Sequence, residues 1–229
     1  MSDPKAVDEA RREARVDATL FILVAAALLV VLAVTSSMAG WELLGLHGWV
    51  WLLLCVPEAL LVGALLLSSR TGDHRREHRA QQVFITLVVV GSLSGLALLT
   101  AALLTESTSD LTGAQLLLSG AALWLTNVVA FGLAFWTLDC GGAVQRALHG
   151  RAQPDFQFPQ DENPTLAPPG WYPRLEDYVY VAMTNGIAFS PTDAMPLTRQ
   201  AKALMALDSV ISVGAVLLVA ARAVNVLGA

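Results

Sequence analysis

Charge is scarce in this chain. Asp, Glu, Lys and Arg make up 14% of its 229 residues, against 55% hydrophobic residues and a mean hydropathy of +0.58. A soluble helical bundle spreads charge over its outer faces. Here the charges stand in blocks with apolar runs between them, which excludes an ordinary soluble domain. Cysteine is rarer still. Cys55 and Cys140 are a lone pair, and Cys55 lies in an apolar run where it reads as a small hydrophobe. The four histidines (His47, His74, His78, His149) fall in loops or at helix ends. His74-x-x-x-His78 has metal-ligand spacing, but Arg75, Arg76 and Arg79 surround it and oppose a divalent cation, so no metal site is expected. There is no G-x-S-x-G, no H-E-x-x-H and no Walker loop. Ser190 and Asp193 have no histidine near them in sequence. No catalytic residue, no cofactor and no nucleic-acid partner is expected, and the chain does not read as an enzyme.

What the chain has is apolar length. Four runs are long enough to cross a bilayer, at about 18–39, 49–68, 83–104 and 114–138. A fifth extends from about Arg199 to Leu227. The first is not a typical cleavable signal: it has about twenty residues, an acidic-basic leader before it and no strong small-residue cleavage site after it. Lys and Arg set the orientation. The leader (1–17) holds Lys5, Arg11, Arg12 and Arg15, and the second loop holds Arg70, Arg75, Arg76 and Arg79. The first loop (40–48) and the third (105–113) hold none. The positive-inside rule then places the N-terminus in the cytoplasm, Arg146, Arg151 and Arg174 on the same side, and the C-terminus outside. Trp41-Glu42 and Trp49-Val50-Trp51 read as an outer aromatic belt.

The segment 139–174 is the main non-membrane piece. It carries Gly141-Gly142, Pro154, Pro159, Pro164, Pro168 and Pro169, with apolar Phe156, Phe158, Trp171 and Tyr172. The prolines argue against a long helix and the aromatics against free disorder. An ordered cap on the membrane end is expected, with a plain flexible linker as the alternative.

The last 55 residues are the most informative. They read as a short amphipathic helix over 175–186, a polar break Phe189-Ser190-Pro191-Thr192-Asp193, then the long apolar helix. A segment of about twelve residues cannot cross a bilayer that needs about twenty. A short helix that enters and turns back before a spanning helix is the layout of a pore loop. Irregular backbone at membrane depth survives only where protein buries it or water lines it.

Asp193-x-x-Pro196-x-Thr198-x-x-Ala201-Lys202 resembles the stretch after the selectivity filter of tetrameric potassium-type channels, D-x-x-P-x-T-x-x-G-[RK]. The segment 178–184 resembles their pore helix, which ends in threonine as this one does at Thr184. Where that family has T-V-G-Y-G, this chain has Ala188-Phe189-Ser190-Pro191-Thr192. The family's glycines let a stack of carbonyls face the ion. Pro191 fixes φ and Phe189 is bulky, so potassium selectivity is not implied. The resemblance implies a homo-oligomer, a tetramer if channel-like, passing small cations along Thr184, Asn185, Ala188, Phe189, Ser190, Pro191, Thr192 and Asp193. The charge rule makes this loop enter from the cytoplasm, as in glutamate-receptor channels. The C-terminal half also resembles an uncharacterised family of small actinobacterial integral membrane proteins over about residues 130–227. The runs that carry it are Phe135-Trp136-x-Leu138-Asp139-x-Gly141-Gly142, Asp155-Phe156-x-Phe158-Pro159-Gln160, Phe189-Ser190-Pro191-Thr192-Asp193 and Arg222-Ala223-Val224-Asn225. That likeness implies no known activity.

Ionisable residues inside apolar runs must pair or meet water, and a functional role is the default hypothesis. Glu58, after Pro57 in the second run, and Arg222 near the end of the last lie at similar distances from one membrane face, so they are candidates for an intramembrane ion pair. Asp208 is a candidate for pore lining or ion binding, or for a protonated carboxyl hydrogen-bonded to a neighbour. Asn127 reads as interhelical glue and Pro57 as a kink. Pro191-Thr192-Asp193 reads as a turn, with Asp193 or Thr198 capping the last helix.

The expected fold is an all-α membrane protein with about five transmembrane helices and one short re-entrant helix. Its parts are a leader (1–17), a four-helix membrane region (18–138), a cap (139–174) and a C-terminal pore-loop unit (175–229) in a multi-pass protein of the plasma membrane. The expected function is channel-like conduction of small cations. The competing reading is a non-conducting scaffold or regulatory subunit of a partner complex. A secondary transporter is disfavoured, because no inverted repeat is visible between the halves.

Overall fold

The structure is a computed structural model that describes residues 74–104, 113–142, 145–146, 151, 153–168, 171–188, 190 and 193–227, with scattered helical positions between 23 and 38. The described residues are mostly helical. Helix α1 (His74–Leu104) precedes α2 (Gly113–Leu138), which ends in a 3-10 turn (Asp139–Gly141). Strand β1 (Phe156–Gln157), the one-turn helix α3 (Pro159–Glu162) and a second 3-10 turn (Pro164–Leu166) follow. Then come α4 (Leu175–Ala188), strand β2 (Met195–Pro196) and α5 (Arg199–Leu227).

Two helices are long and apolar enough to cross a membrane, over Gly120–Gly141 and Arg199–Leu218, while α1 holds a shorter apolar stretch, Ile85–Ala97. The runs at 18–39 and 49–68 lie largely or wholly outside the described residues, so the described part carries two such helices rather than five. Helix α1 begins well before its apolar run at 83. Residues 74–82 are rich in Arg, Glu, Ala and Gln, straight-chain or small residues that lose little freedom in a helix. Helix α4 continues past Thr184 to Ala188, four residues beyond where the channel likeness ends its pore helix.

The end of α2 is made by backbone chirality and one arginine. Cys140, Gly141 and Gly142 have φ of 52°, 75° and 97°. Glycine takes such angles without penalty, and the chain leaves the helix axis there. The Arg146 guanidinium donates to the carbonyls of Trp136 (2.8 Å) and Asp139 (2.6 Å). Trp136 is among the last residues of α2, whose carbonyls a helix end leaves without an intrahelical partner, while the Asp139 carbonyl also accepts from Gly142 N at 3.0 Å. At the start of α4, the Asp177 carboxylate accepts from Arg174 N at 2.7 Å, and Glu176 and Asp177 set negative charge on the first turn. At the start of α5, Thr198 Oγ1 accepts from Ala201 N at 3.2 Å, the role expected of Thr198 or Asp193.

Helix α2 packs against both α4 and α5, and α1 packs on α5 and α2. Gly132 permits the closest approach: a Cβ there would stand 2.7 Å from Val179 Cγ2 and 2.8 Å from Val179 Cα. At one end of this packing the cap knits three helix ends together. Strands β1 and β2 pair antiparallel, Phe156 opposite Pro196 and Gln157 opposite Met195. Leu197 N donates to Asp155 O at 2.8 Å. Aromatic rings carry the core from α2 into the cap and on to α4. Centroids stand 6.0 Å apart for Phe131–Phe135, 5.1 Å for Phe135–Phe156 and 5.4 Å for Phe158–Tyr178. Each such pair is worth about 0.5–1.5 kcal/mol beyond the area it buries.

Contacts at two levels fix the helix directions. At the cap, the end of α2 (Asp139) meets the first turn of α4 (Tyr178), and the start of α5 (Thr198) meets Asp155. Deeper, Asn127 of α2 and Asn185 of α4 both meet Asp208 of α5. At a rise of about 1.5 Å per residue, that second level lies roughly 10–18 Å along each helix from the cap. Helices α4 and α5 therefore both start at the cap and run the same way, antiparallel to α2.

Candidate functional site

Four polar side chains from three helices meet at the deeper level. Asp208 is fully buried on α5. Asn127 Nδ2 donates to Asp208 Oδ1 at 2.9 Å and to Ser212 Oγ at 3.2 Å. Asn185 Nδ2 donates to Asp208 Oδ2 at 2.8 Å and to Met205 O at 2.8 Å. Ser212 Oγ, one turn on from Asp208, donates to Oδ1 at 3.5 Å. Gly186 lets α4 close over this layer, since a Cβ there would meet Ser212 Oγ at 2.8 Å and Trp124 Nε1 at 3.4 Å. Asn127 Oδ1 and Trp124 Nε1 are buried without a hydrogen-bond partner among the described residues. A carboxyl group thus sits in an apolar bundle ringed by neutral amides and a hydroxyl. Such an arrangement can bind a proton or coordinate a cation, and it can hold helices together.

The cap holds a second buried network. The Asp139 carboxylate, fully buried, accepts from Asp155 N (2.7 Å), Phe156 N (3.2 Å), the Tyr178 hydroxyl and Arg151 Nη1. Arg151 also donates to Asp161 at 2.9 and 3.2 Å and to Phe156 O at 2.6 Å. Burial alone would lower the Arg151 pKa, but the Asp161 hydrogen bond and the Asp139 charge outweigh it and hold the guanidinium charged, above its ordinary range. Arg146 lies over the rings of Trp136 and Tyr178, 5.7 and 5.4 Å from their centroids. Thr198 donates to Asp155 Oδ1 at 2.6 Å, which ties the start of α5 to the same network. Every polar group named here has a partner inside the cap, so the network reads as structural.

The residues singled out from sequence separate into groups. Asn185 and Asp208 come together, and Asn127 joins them as interhelical glue. Asp208 has no exposed face in one chain, so it does not line an open surface there. The Thr184 hydroxyl turns back onto its own helix, donating to Tyr180 O at 2.9 Å and Val181 O at 3.1 Å, rather than away from it. Ala188 and Ser190 are exposed at the end of α4. Asp193 is half-buried and close enough to Asp177 for its charge to act there. Burial first, then the charges of Glu176 and Asp193, raise the Asp177 pKa from its ordinary value, while the Arg174 backbone hydrogen bond opposes the rise. Asp193 therefore lies at the cap end, apart from Asp208. Phe189, Pro191, Thr192, Glu58 and the Arg222 side chain lie outside the described residues. Sequence reasoning missed Ser212, Trp124 and Gly186, which complete the polar layer. Ser212, four residues after Asp208 and so on the same helix face, was the available signal. Asp139, Arg151 and Tyr178 were missed as a network because no spacing rule joins them.

Comparison with protein-family models, with curated proteins and with solved structures found no match to this chain.

Proposed function

We propose that α2, the cap, α4 and α5 form a pore-loop unit of an integral membrane protein that conducts small cations as a homo-oligomer, a tetramer if it follows the potassium-type channels its sequence resembles. One observation carries the reading: α4 and α5 both start at the cap and run the same way. Helix α4, 14 residues and so about 21 Å long, stops short of crossing a hydrocarbon core of about 30 Å. The chain must then return to the cap before α5 begins. The seven steps from Ala188 to Met195 reach up to about 25 Å, which is enough. A helix that descends, a return segment and a spanning helix together make a re-entrant loop.

The surface of the chain supports a membrane setting. Val210, Val216 and Leu217 of α5 and Val83, Val90 and Leu93 of α1 are exposed, as bilayer-facing or subunit-facing residues would be. The cap end carries Arg146, Arg151, Arg174, Arg199 and Lys202. The positive-inside rule puts that end in the cytoplasm, with the N-terminus on the same side and the C-terminus outside a five-span protein of the plasma membrane. The loop would then enter from the cytoplasm, with Asp193 and Asp177 at its mouth, where carboxylates concentrate cations and repel anions. Membership of the actinobacterial membrane-protein family that the C-terminal half resembles is part of the same proposal.

A non-conducting scaffold is the second reading, and one observation favours it. Leu166, Tyr172, Met195 and Leu197 are exposed on the cap, apolar surface that a partner could cover. Flux decides between the two. The purified protein in liposomes should pass monovalent cations. Asp193→Asn should lower that flux or its preference over anions, while Asp73→Asn in the second loop should do neither. No flux above empty liposomes, for several monovalent cations across pH and voltage, would leave the scaffold.

A further inference from the structure

We propose that Asp208 is a reversible proton-binding site inside the bundle, with the Asn127 amide turning over to serve both protonation states. The proposal goes beyond the pore-loop reading and needs only that α5 lies in the bilayer. A buried ionised carboxylate is retained only where charge or hydrogen bonding compensates its lost hydration. No compensating charge is at hand among the described residues. Residues 113–138 of α2 contain no ionisable side chain, and those of α1 from 80 to 104 contain none. On α4 the acidic residues Glu176 and Asp177 and the titratable Tyr178 lie near the cap, with Tyr180 two turns or less from it, while Asn185 is the residue facing Asp208. On α5 itself Arg199, Lys202 and Arg222 are nine, six and fourteen positions away. Among the described residues, only neutral groups touch the carboxylate.

Those neutral groups are arranged unequally. Asn185 is held as a donor: its Nδ2 also bonds Met205 O at 2.8 Å, so Asp208 Oδ2 keeps one N–H in either state. Asn127 is not held in that way. It is 6% exposed, its Nδ2 serves Asp208 Oδ1 and Ser212 Oγ, and its Oδ1 has no partner among the described residues. Rotating this amide by half a turn exchanges the two atoms. Oδ1 then faces Asp208 Oδ1 and Ser212 Oγ, and it can accept the carboxyl proton and the Ser212 hydroxyl together. The present orientation suits the carboxylate, which only accepts. The turned orientation suits the carboxylic acid, which must also donate. A proton from bulk water forms the new O–H bond at Oδ1, and the same bond breaks on release, with no other chemistry involved. The turned amide puts its NH2 where the oxygen now stands, so one end of Asn127 is without a partner among the described residues in either state, and the protonation state of Asp208 decides which end faces it.

The test is an infrared pH titration of the full chain in liposomes. Protonation of Asp208 should give a carboxyl C=O band that shifts in D2O and is missing in Asp208→Asn. Asn185→Leu removes the hydrogen bond that favours the charged form, so the midpoint of this band should rise by about one to two pH units. Exchanging Na+ for choline should leave the midpoint where it is. The proposal is overturned if the wild-type protein shows no titrating band, if the band survives in Asp208→Asn, or if Asn185→Leu leaves the midpoint unchanged. A midpoint that falls as Na+ rises would also overturn it, because the site would then hold a metal cation. Should Asp208→Asn not fold, the Asn185→Leu shift alone decides. Absent cation flux bears on the loop reading and leaves this titration untouched.

Discussion

Replacing Asp139 by alanine removes the acceptor on which the cap converges. Its carboxylate is fully buried and takes hydrogen bonds from two backbone amides, the Tyr178 hydroxyl and Arg151. Arg151 would not be orphaned, since Asp161 and Phe156 O still hold it. What the alanine leaves without an acceptor are the Tyr178 hydroxyl proton, on a fully buried side chain whose oxygen still accepts from Arg151 at 3.3 Å, and the amides of Asp155 and Phe156. A buried group left unsatisfied costs about 1–3 kcal/mol. Three of them, with some relief from water at the cap surface, give roughly 3–5 kcal/mol, the same size as breaking one partner of a buried pair. At about 2–4 °C per kcal/mol for a chain of this size, the unfolding midpoint should drop by about 10 °C. Asp161→Ala is the control: its side chain is 23% exposed and Arg151 keeps Asp139, so it should cost about 1 kcal/mol. Thermal unfolding followed by helical circular dichroism in detergent reads both. Adding Tyr178→Phe to Asp139→Ala should cost less than it does in the wild type, because the hydroxyl has already lost its acceptor. If Asp139→Ala and Asp161→Ala melt within about 2 °C of each other, the cap is not organised around Asp139.

Three further outcomes are expected, two from the geometry and one from the charge rule. Gly132→Ala should destabilise by about 1–3 kcal/mol, because its Cβ would strike the Val179 backbone and force α2 and α4 apart, whereas Gly95→Ala, with nothing within 4 Å of its Cβ, should be neutral or slightly stabilising in the same melt. Thr198→Ala should cost about 1–2 kcal/mol, since it removes both the cap to Ala201 N and the bond to Asp155; a cost near zero would show that β2 alone fixes the start of α5. Single cysteines at residues 70–79, in a Cys-free background, should resist an impermeant thiol reagent in intact cells, and labelling there would overturn the cytoplasmic placement of the N-terminus.

Much of the helical frame is legible because it rests on local rules. The apolar runs at 114–138 and 199–227 match α2 and α5 almost residue for residue, since a helix satisfies the backbone of a long Pro-free apolar run entirely within the run itself. A side-chain cap at the start of α5 follows from position and residue type, with Asp193 or Thr198 as the candidates, and the structure selects Thr198. Helix starts were harder where charge is compatible with helix, as in residues 74–82 of α1. The prolines and aromatics of 139–174 can be read as an ordered segment, but not as the specific partners Asp139, Arg151, Asp155 and Tyr178. Those lie up to 39 positions apart and meet only when the chain turns at Cys140–Gly142.

The sequence by itself determined that this is a helical chain with long apolar runs, a short helix before the last of them, and one carboxylate within that last helix. Each of those facts follows from local composition and spacing. Only the tertiary structure decided that α4 and α5 start at the same end, and that Asp208 faces inward to Asn127, Asn185 and Ser212 rather than outward. The physical reason is close packing. Gly132 and Gly186 let α4 approach α2 and α5 closely, and the 3-10 turn with its arginine network sets where α4 begins. Once those distances are set, every polar group at that depth must find its partner across helices far apart in sequence.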